Sequence, residues 1–329
     1  MLVKDALHLG LMLVAVGAAY LVPFELLLLS YAVLGPAHYF TEISWLHDRK
    51  YFLPHRGIGL ALVIAAITAV LIAKPWWFGL IVWSALVVCA ILAATSSTVQ
   101  AIVLFVIAIG MAVAMYSGET FVLLGILIPT LVHVSLFTLV FMALGAYRSS
   151  SKAQGLLVVA YLVAIVMILA IPPTASTRIA SFARLGQEYF GDVGPALGKL
   201  FGVPDLRLDT RFTSLLAFAY TYHYLNWFIK ADVIRWANVS KVRLALVISA
   251  SAASTALYFY DYAIGFLTLF IIALAHILLE FPLNSIALRD LGAIGGRSIL
   301  RKLGLQSAPP LAQRSSPAGS KASRRATSQ

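Results

Sequence analysis

The stretch YAIGFLTLFIIALAHILLEF (262–281) runs for twenty residues with one acid, Glu280, and one histidine, His276. A run so long, so apolar and without alternation reads as an α-helix crossing a bilayer, because about 20 helical residues span a hydrocarbon core of about 30 Å. Strands of a membrane barrel would alternate apolar and polar positions instead. Similar runs recur along the chain, so the fold class expected is all-α, a polytopic integral membrane helix bundle. The composition agrees. Of 329 residues, 61% are apolar and 11% charged, against about 45–50% and about 25% in soluble domains. A secreted domain and a cytosolic enzyme are thereby excluded.

Ten spans are expected, at about 5–22, 24–46, 57–73, 76–94, 98–116, 119–147, 154–171, 211–229, 243–260 and 262–288. The breaks carry turn chemistry or charge: Pro23, HDRKYFLPHR at 47–56, Lys74-Pro75, Ser117-Gly118, YRSSSK at 147–152, Pro172-Pro173 and Asp261. Residues 1–290 read as one transmembrane domain, with 172–210 as an outer-surface loop in which 174–201 suit two short surface helices. Residues 291–329 read as a basic, largely disordered cytoplasmic tail that touches anionic lipid heads.

Net charge is +11, from 24 basic and 13 acidic residues. In a soluble chain that would suggest nucleic acid. Here the basic residues gather in short segments: Arg49, Lys50 and Arg56; Arg148 and Lys152; Lys230, Arg235, Lys241 and Arg243; and the tail from Arg289. That is the positive-inside pattern. It places both termini in the cytoplasm of a multi-pass cell-membrane protein, with membrane lipids as partners and no nucleic acid. Lys4 precedes an apolar stretch without a small-residue cleavage site, so the first run reads as a span and not as a removed signal peptide. The one cysteine, Cys89, excludes a disulfide within the chain.

Ionisable groups inside spans are costly and usually functional or paired. Four of the seven histidines lie well inside candidate spans: His38, His133, His223 and His276. They precede basic markers by eleven residues (Arg49), fifteen (Arg148), seven (Lys230) and thirteen (Arg289). At about 1.5 Å per residue all four share one slab of the bilayer, from mid-depth toward the cytoplasm. Glu42 and Glu280 follow His38 and His276 by four residues, hence on the same helix face. Tyr220 and Asn226 flank His223 at three-residue spacing, and Ser135 and Thr138 are the polar neighbours of His133. Pro36 and Pro129 precede two of the histidines and loosen the helix there. A lone membrane histidine is more often a helix–helix hydrogen-bond partner. Four at one depth, two with a glutamate, favour a metal site, since neutral imidazole is the commonest protein ligand for redox metals. His8, His47 and His55 read as interfacial, with His47 and Asp48 at a cytoplasmic mouth. The aromatic residues at 76–77, 220–227 and 258–262 read as interfacial belt or packing.

These motifs resemble the Brp/Blh-type bacterial and archaeal β-carotene 15,15′-dioxygenases. GPAHYFTE (35–42) is similar to that family's Gly-x-Pro-His with a carboxylate four residues on, and AHILLEF (275–281) to its last His-x-x-x-carboxylate-Phe motif. His133 and His223 follow the family's order. Three features depart from it: Trp227 stands where a second histidine of a pair would fall, the aspartate expected after the second histidine motif is absent at 134–138, and both terminal carboxylates are Glu. The resemblance implies a prokaryotic inner-membrane oxidoreductase using Fe(II). Its metal ligands would be His38, His133, His223 and His276. Glu42, Glu280, Tyr220 and Asn226 would assist, and dioxygen would cleave a hydrophobic polyene drawn from the bilayer, β-carotene giving retinal. The alternatives carried forward are a proton- or ion-coupled transporter, an oxygenase or desaturase acting on another lipid, and a membrane scaffold.

Overall fold

The computed structural model describes residues 2–49, 56–72, 75–94, 128–171 and 210–302. The expected span 98–116, the first part of 119–147, the loop 172–210 up to Asp209, His55 and the tail beyond Lys302 lie outside the described residues.

Every described element is helical. Helix α1 (Leu2–Leu21) turns its His8, Met12, Ala15 and Ala19 inward and leaves Val3, Leu7, Leu13 and Val14 exposed. That is one helical stripe inward and an apolar face left for lipid. Pro23 opens α2 at its first position, where its missing N–H costs nothing. Helix α2 runs in three stretches: Pro23–Leu29, a π-helical Ser30–Leu34, and Gly35–Arg49. Helices α3 (Arg56–Ile72) and α4 (Pro75–Ala94) pack against each other. Helix α5 comprises Ile128–Leu131, a π-helical Val132–Phe137, and Thr138–Ser149. Ser150 in the left-handed region turns the chain, and the Ser151 hydroxyl caps α6 (Lys152–Ala170) by accepting from the Gln154 N–H.

Helix α7 (Thr210–Ile229) is buried around most of its circumference and packs against α1, α2, α5 and α6. It is the central strut of the bundle. A four-residue turn, Ala231–Ile234, leads to α8 (Lys241–Tyr260), capped by Ser240. Asp261 then caps α9 (Tyr262–Lys302) through the Ile264 N–H. The α8–α9 turn is so tight that a Cβ at Gly265 would collide with the Tyr258 backbone.

Five of the described helices are long and apolar enough to cross a membrane: Val3–Leu21, Pro129–Ser149, Lys152–Ala170, Lys241–Tyr260 and Tyr262–Gly296. The chain is a helical membrane protein. Helix α7 falls outside that set because its many polar residues lower its hydropathy, and those residues are largely buried against other helices. Helix α9 continues to Lys302, past the end expected at 288. At about 1.5 Å per residue it is about twice as long as a bilayer core is thick. Met1–Leu291 form one compact unit, and the chain from Gly292 a second.

Candidate metal centre

Two π-helical turns shape the site, and such turns concentrate at functional positions. One contains His133; the other ends just before Gly35, Pro36 and His38. Pro36 has no N–H to offer the Ala32 carbonyl. Thr255 of α8 supplies the missing donor, its Oγ1 lying 2.8 Å from that oxygen. The deformed segment of α2 is thus pinned from outside, and His38 is turned into the bundle.

All four histidines meet there. Ring centroids lie 4.7 Å apart for His38–His223, 4.9 Å for His38–His276, 5.1 Å for His133–His223 and 4.9 Å for His133–His276. Glu42 and Glu280 join them, and the most exposed of the six side chains, His223, is only 8% accessible. Glu42 Oε2 stands 2.9 Å from His38 Nε2 and 3.0 Å from His276 Nε2. His38 Nε2 stands 3.1 Å from His223 Nε2.

One hydrogen bond decides a tautomer. His223 Nδ1 is 2.8 Å from Thr138 Oγ1, whose single proton is given to the Val134 carbonyl at 2.8 Å. Thr138 can therefore only accept, so His223 carries its proton on Nδ1. The lone pair on His223 Nε2 then faces His38 and the cluster. This is the arrangement by which a neighbouring group orients an imidazole ligand.

The distances suit a cation. With metal–nitrogen bonds of about 2.1 Å, adjacent ligand atoms lie about 3.0 Å apart in an octahedron and about 3.4 Å in a tetrahedron. The observed 2.9–3.1 Å contacts match that spacing. A second set has the same character. Glu280 Oε2 approaches His133 Nδ1 to 3.3 Å and His276 Nε2 to 3.7 Å. Yet this oxygen and both His133 nitrogens have no hydrogen-bond partner. Buried polar atoms that crowd together without hydrogen bonding are costly unless a cation neutralises them. Two triads emerge, His38–His223–His276 and His133–His276–Glu280, with the ligand atoms of each within 4.8 Å of one another. His276 belongs to both.

Aromatic side chains close the cluster off from water. The Tyr39 and Tyr224 hydroxyls bond each other at 2.5 Å, with the Tyr39 ring 4.8 Å from His276 and the Tyr224 ring 5.0 Å from His38. Room for Tyr39 comes from Gly35, where a Cβ would lie 3.0 Å from the Tyr39 hydroxyl. Trp227 packs edge-on to His38 at 5.3 Å and donates its Nε1–H to Thr41. At the position where a second histidine of a pair would stand, the chain thus has a wall.

The other expected residues sit as follows. Tyr220 is one turn from His223, its ring 6.5 Å from Tyr31 and 5.8 Å from Tyr224. Asn226 is buried, and its Oδ1 has no hydrogen-bond partner. His47 and Asp48 lie at the end of α2 with Arg243 of α8, whose Nη1 is 2.5 Å from Asp48 Oδ1 and whose Nη2 donates to the Ser44 carbonyl at 2.6 Å. The guanidinium holds the Asp48 carboxyl below its ordinary range. His8 is buried on α1, outside the cluster. Thr138, which spacing placed beside His133, bonds His223 instead, and Tyr39 and Tyr224 are contributors that residue spacing did not single out as partners of the rings. Comparison of the chain with protein-family models, with curated proteins and with solved structures finds no match.

Proposed function

We propose that this chain is a membrane-embedded, iron-dependent oxygenase acting on an apolar polyene or lipid. The observation that carries this reading is the convergence of three imidazole Nε2 atoms and the Glu42 carboxylate inside a sealed, buried pocket. His38, His133, His223 and His276 would hold Fe(II), with Glu42 and Glu280 completing or orienting the ligand set. Iron held by neutral nitrogen ligands supplies dioxygen activation. Thr138 keeps His223 in the ligating tautomer. Tyr39, Tyr224 and Trp227 exclude water from the ligands. An apolar substrate needs no charged recognition group, which agrees with a site whose surroundings are aromatic.

The substrate rests on the motif resemblance. Following it, dioxygen adds its two oxygen atoms across the central double bond of β-carotene, which is cleaved to two molecules of retinal. On this reading α2 and α7 cross the membrane with the five apolar helices, shielded by them, in the multi-pass cell membrane of a prokaryote. The test is expression in carotene-accumulating bacteria together with iron analysis of the purified protein. Bleaching with formation of retinal, loss of bleaching in each single His→Ala variant, and loss of iron when the shared ligand His276 is removed, is the expected result. Retention of iron and activity by all four variants removes the proposal.

A proton-coupled transporter is the second reading. It is favoured by one carboxylate oxygen, on Glu42, shared between two buried imidazoles. Proton-dependent flux in liposomes, from protein free of bound metal, would establish it in place of the oxygenase.

A further inference from the structure

A cavity lies one helical turn from the histidine cluster. Thr130, Tyr220 and Ala273 line it, and each precedes a clustered histidine by three residues: His133, His223 and His276. Three residues of helix rise about 4.5 Å. The cavity is therefore the next layer along α5, α7 and α9, stacked on the ligand layer. Tyr31 from the π-helical turn of α2 and Phe78 from α4 close its sides.

Its size and lining restrict what it can hold. The cavity volume is about 40 Å³. One water needs about 10–15 Å³ of such space, so a few small molecules fit and a polyene chain does not. Most of the wall is apolar. The Tyr220 hydroxyl has the Thr130 side chain beside it as a polar neighbour. The Tyr31 hydroxyl is buried without a hydrogen-bond partner. A buried water asks for two to four polar partners, and this wall leaves one unspent. A small apolar molecule asks for none and can still accept one hydrogen bond.

We infer that this cavity is the chamber from which dioxygen reaches the metal ligands, an inference that rests on the oxygenase reading. Dioxygen is enriched in apolar surroundings, so it passes from the bilayer interior into an apolar chamber without being dehydrated. The chamber keeps the gas within one turn of the ligands while the larger substrate must come by another route. Tyr31 donates the single hydrogen bond the wall has to spare.

The test uses the whole protein and two probes. Crystals pressurised with xenon, an inert marker of apolar cavities, report occupancy without any metal. Stopped-flow mixing of the iron(II)-loaded protein with dioxygen reports access. Xenon should bind between Thr130, Tyr220 and Ala273 in the wild type and be excluded by Ala273→Leu. That variant should keep its iron content while its reaction with dioxygen slows by about tenfold or more. Ala273→Val, a smaller intrusion, gives the same readout should the larger side chain prevent folding. Wild-type crystals with no xenon there, or with ordered waters filling the space, overturn the inference. So does a rate within about twofold of wild type in both variants. Wild-type protein that binds no iron overturns the oxygenase reading instead, and xenon occupancy, read without metal, tells the two failures apart.

Discussion

His223 is held in one tautomer by Thr138, a residue that stands on a different helix and has no proton left to give in return. Thr138→Val removes the acceptor while keeping the side-chain shape. Metal affinity should then fall by about 10–100-fold, the usual cost of losing such a partner. Thr138→Ser should restore most of it. Metal titration of the three proteins in detergent checks the order; equal affinities would show that the contact does not orient the ring.

His276 belongs to both triads, whereas His133 belongs to one. His276→Ala should abolish metal binding. His133→Ala should leave measurable metal on the set that retains His38, His223 and Glu42. Elemental analysis of protein purified after metal loading separates the two outcomes, and equal retention by both variants would contradict a shared ligand.

The ion pair between Asp48 and Arg243 ties the end of α2 to the start of α8. Arg243 lowers the Asp48 carboxyl in the folded protein, so the pair stabilises above the unfolded value of about 3.9. That contribution disappears as pH falls through the folded value. Both side chains are substantially solvated, so the expected gain is under about 1 kcal/mol and shrinks with salt. Arg243→Met should lower the melting temperature slightly at neutral pH, and its difference from wild type should shrink in acid to what the Arg243–Ser44 hydrogen bond contributes. Melting curves across that range are the measurement.

Gly265 sits where any Cβ would press on the Tyr258 backbone. Gly265→Ala should destabilise the protein by about 1–3 kcal/mol through overpacking. A melt at neutral pH checks this, with Gly10→Ala as the control, because nothing lies within 4 Å of a Cβ there.

The apolar runs and the depth of the histidines could be read by counting residues, because rise per residue is constant along a helix. The π-helical turns could not. At about 100° per residue, Thr138 should lie about 140° around α5 from His133. The wider turn at Val132–Phe137 brings both residues onto His223 instead. Trp227 was legible as an aromatic residue but not as the wall beside His38, because ring contacts between α2 and α7 depend on helix rotation. The apolar count also treated α7 like its neighbours, although its polar residues are tolerated only because other helices surround it.

That enclosure bears on how the protein is made. A segment reading TRFTSLLAFAYTYHYLNWFI is a poor candidate for release into lipid by itself. It becomes acceptable when the apolar flanks of α1 and α6 are already waiting to receive it. His223 therefore arrives in the membrane as a guest of helices inserted earlier, and a chain lacking α1 would lose α7 before any chemistry could begin.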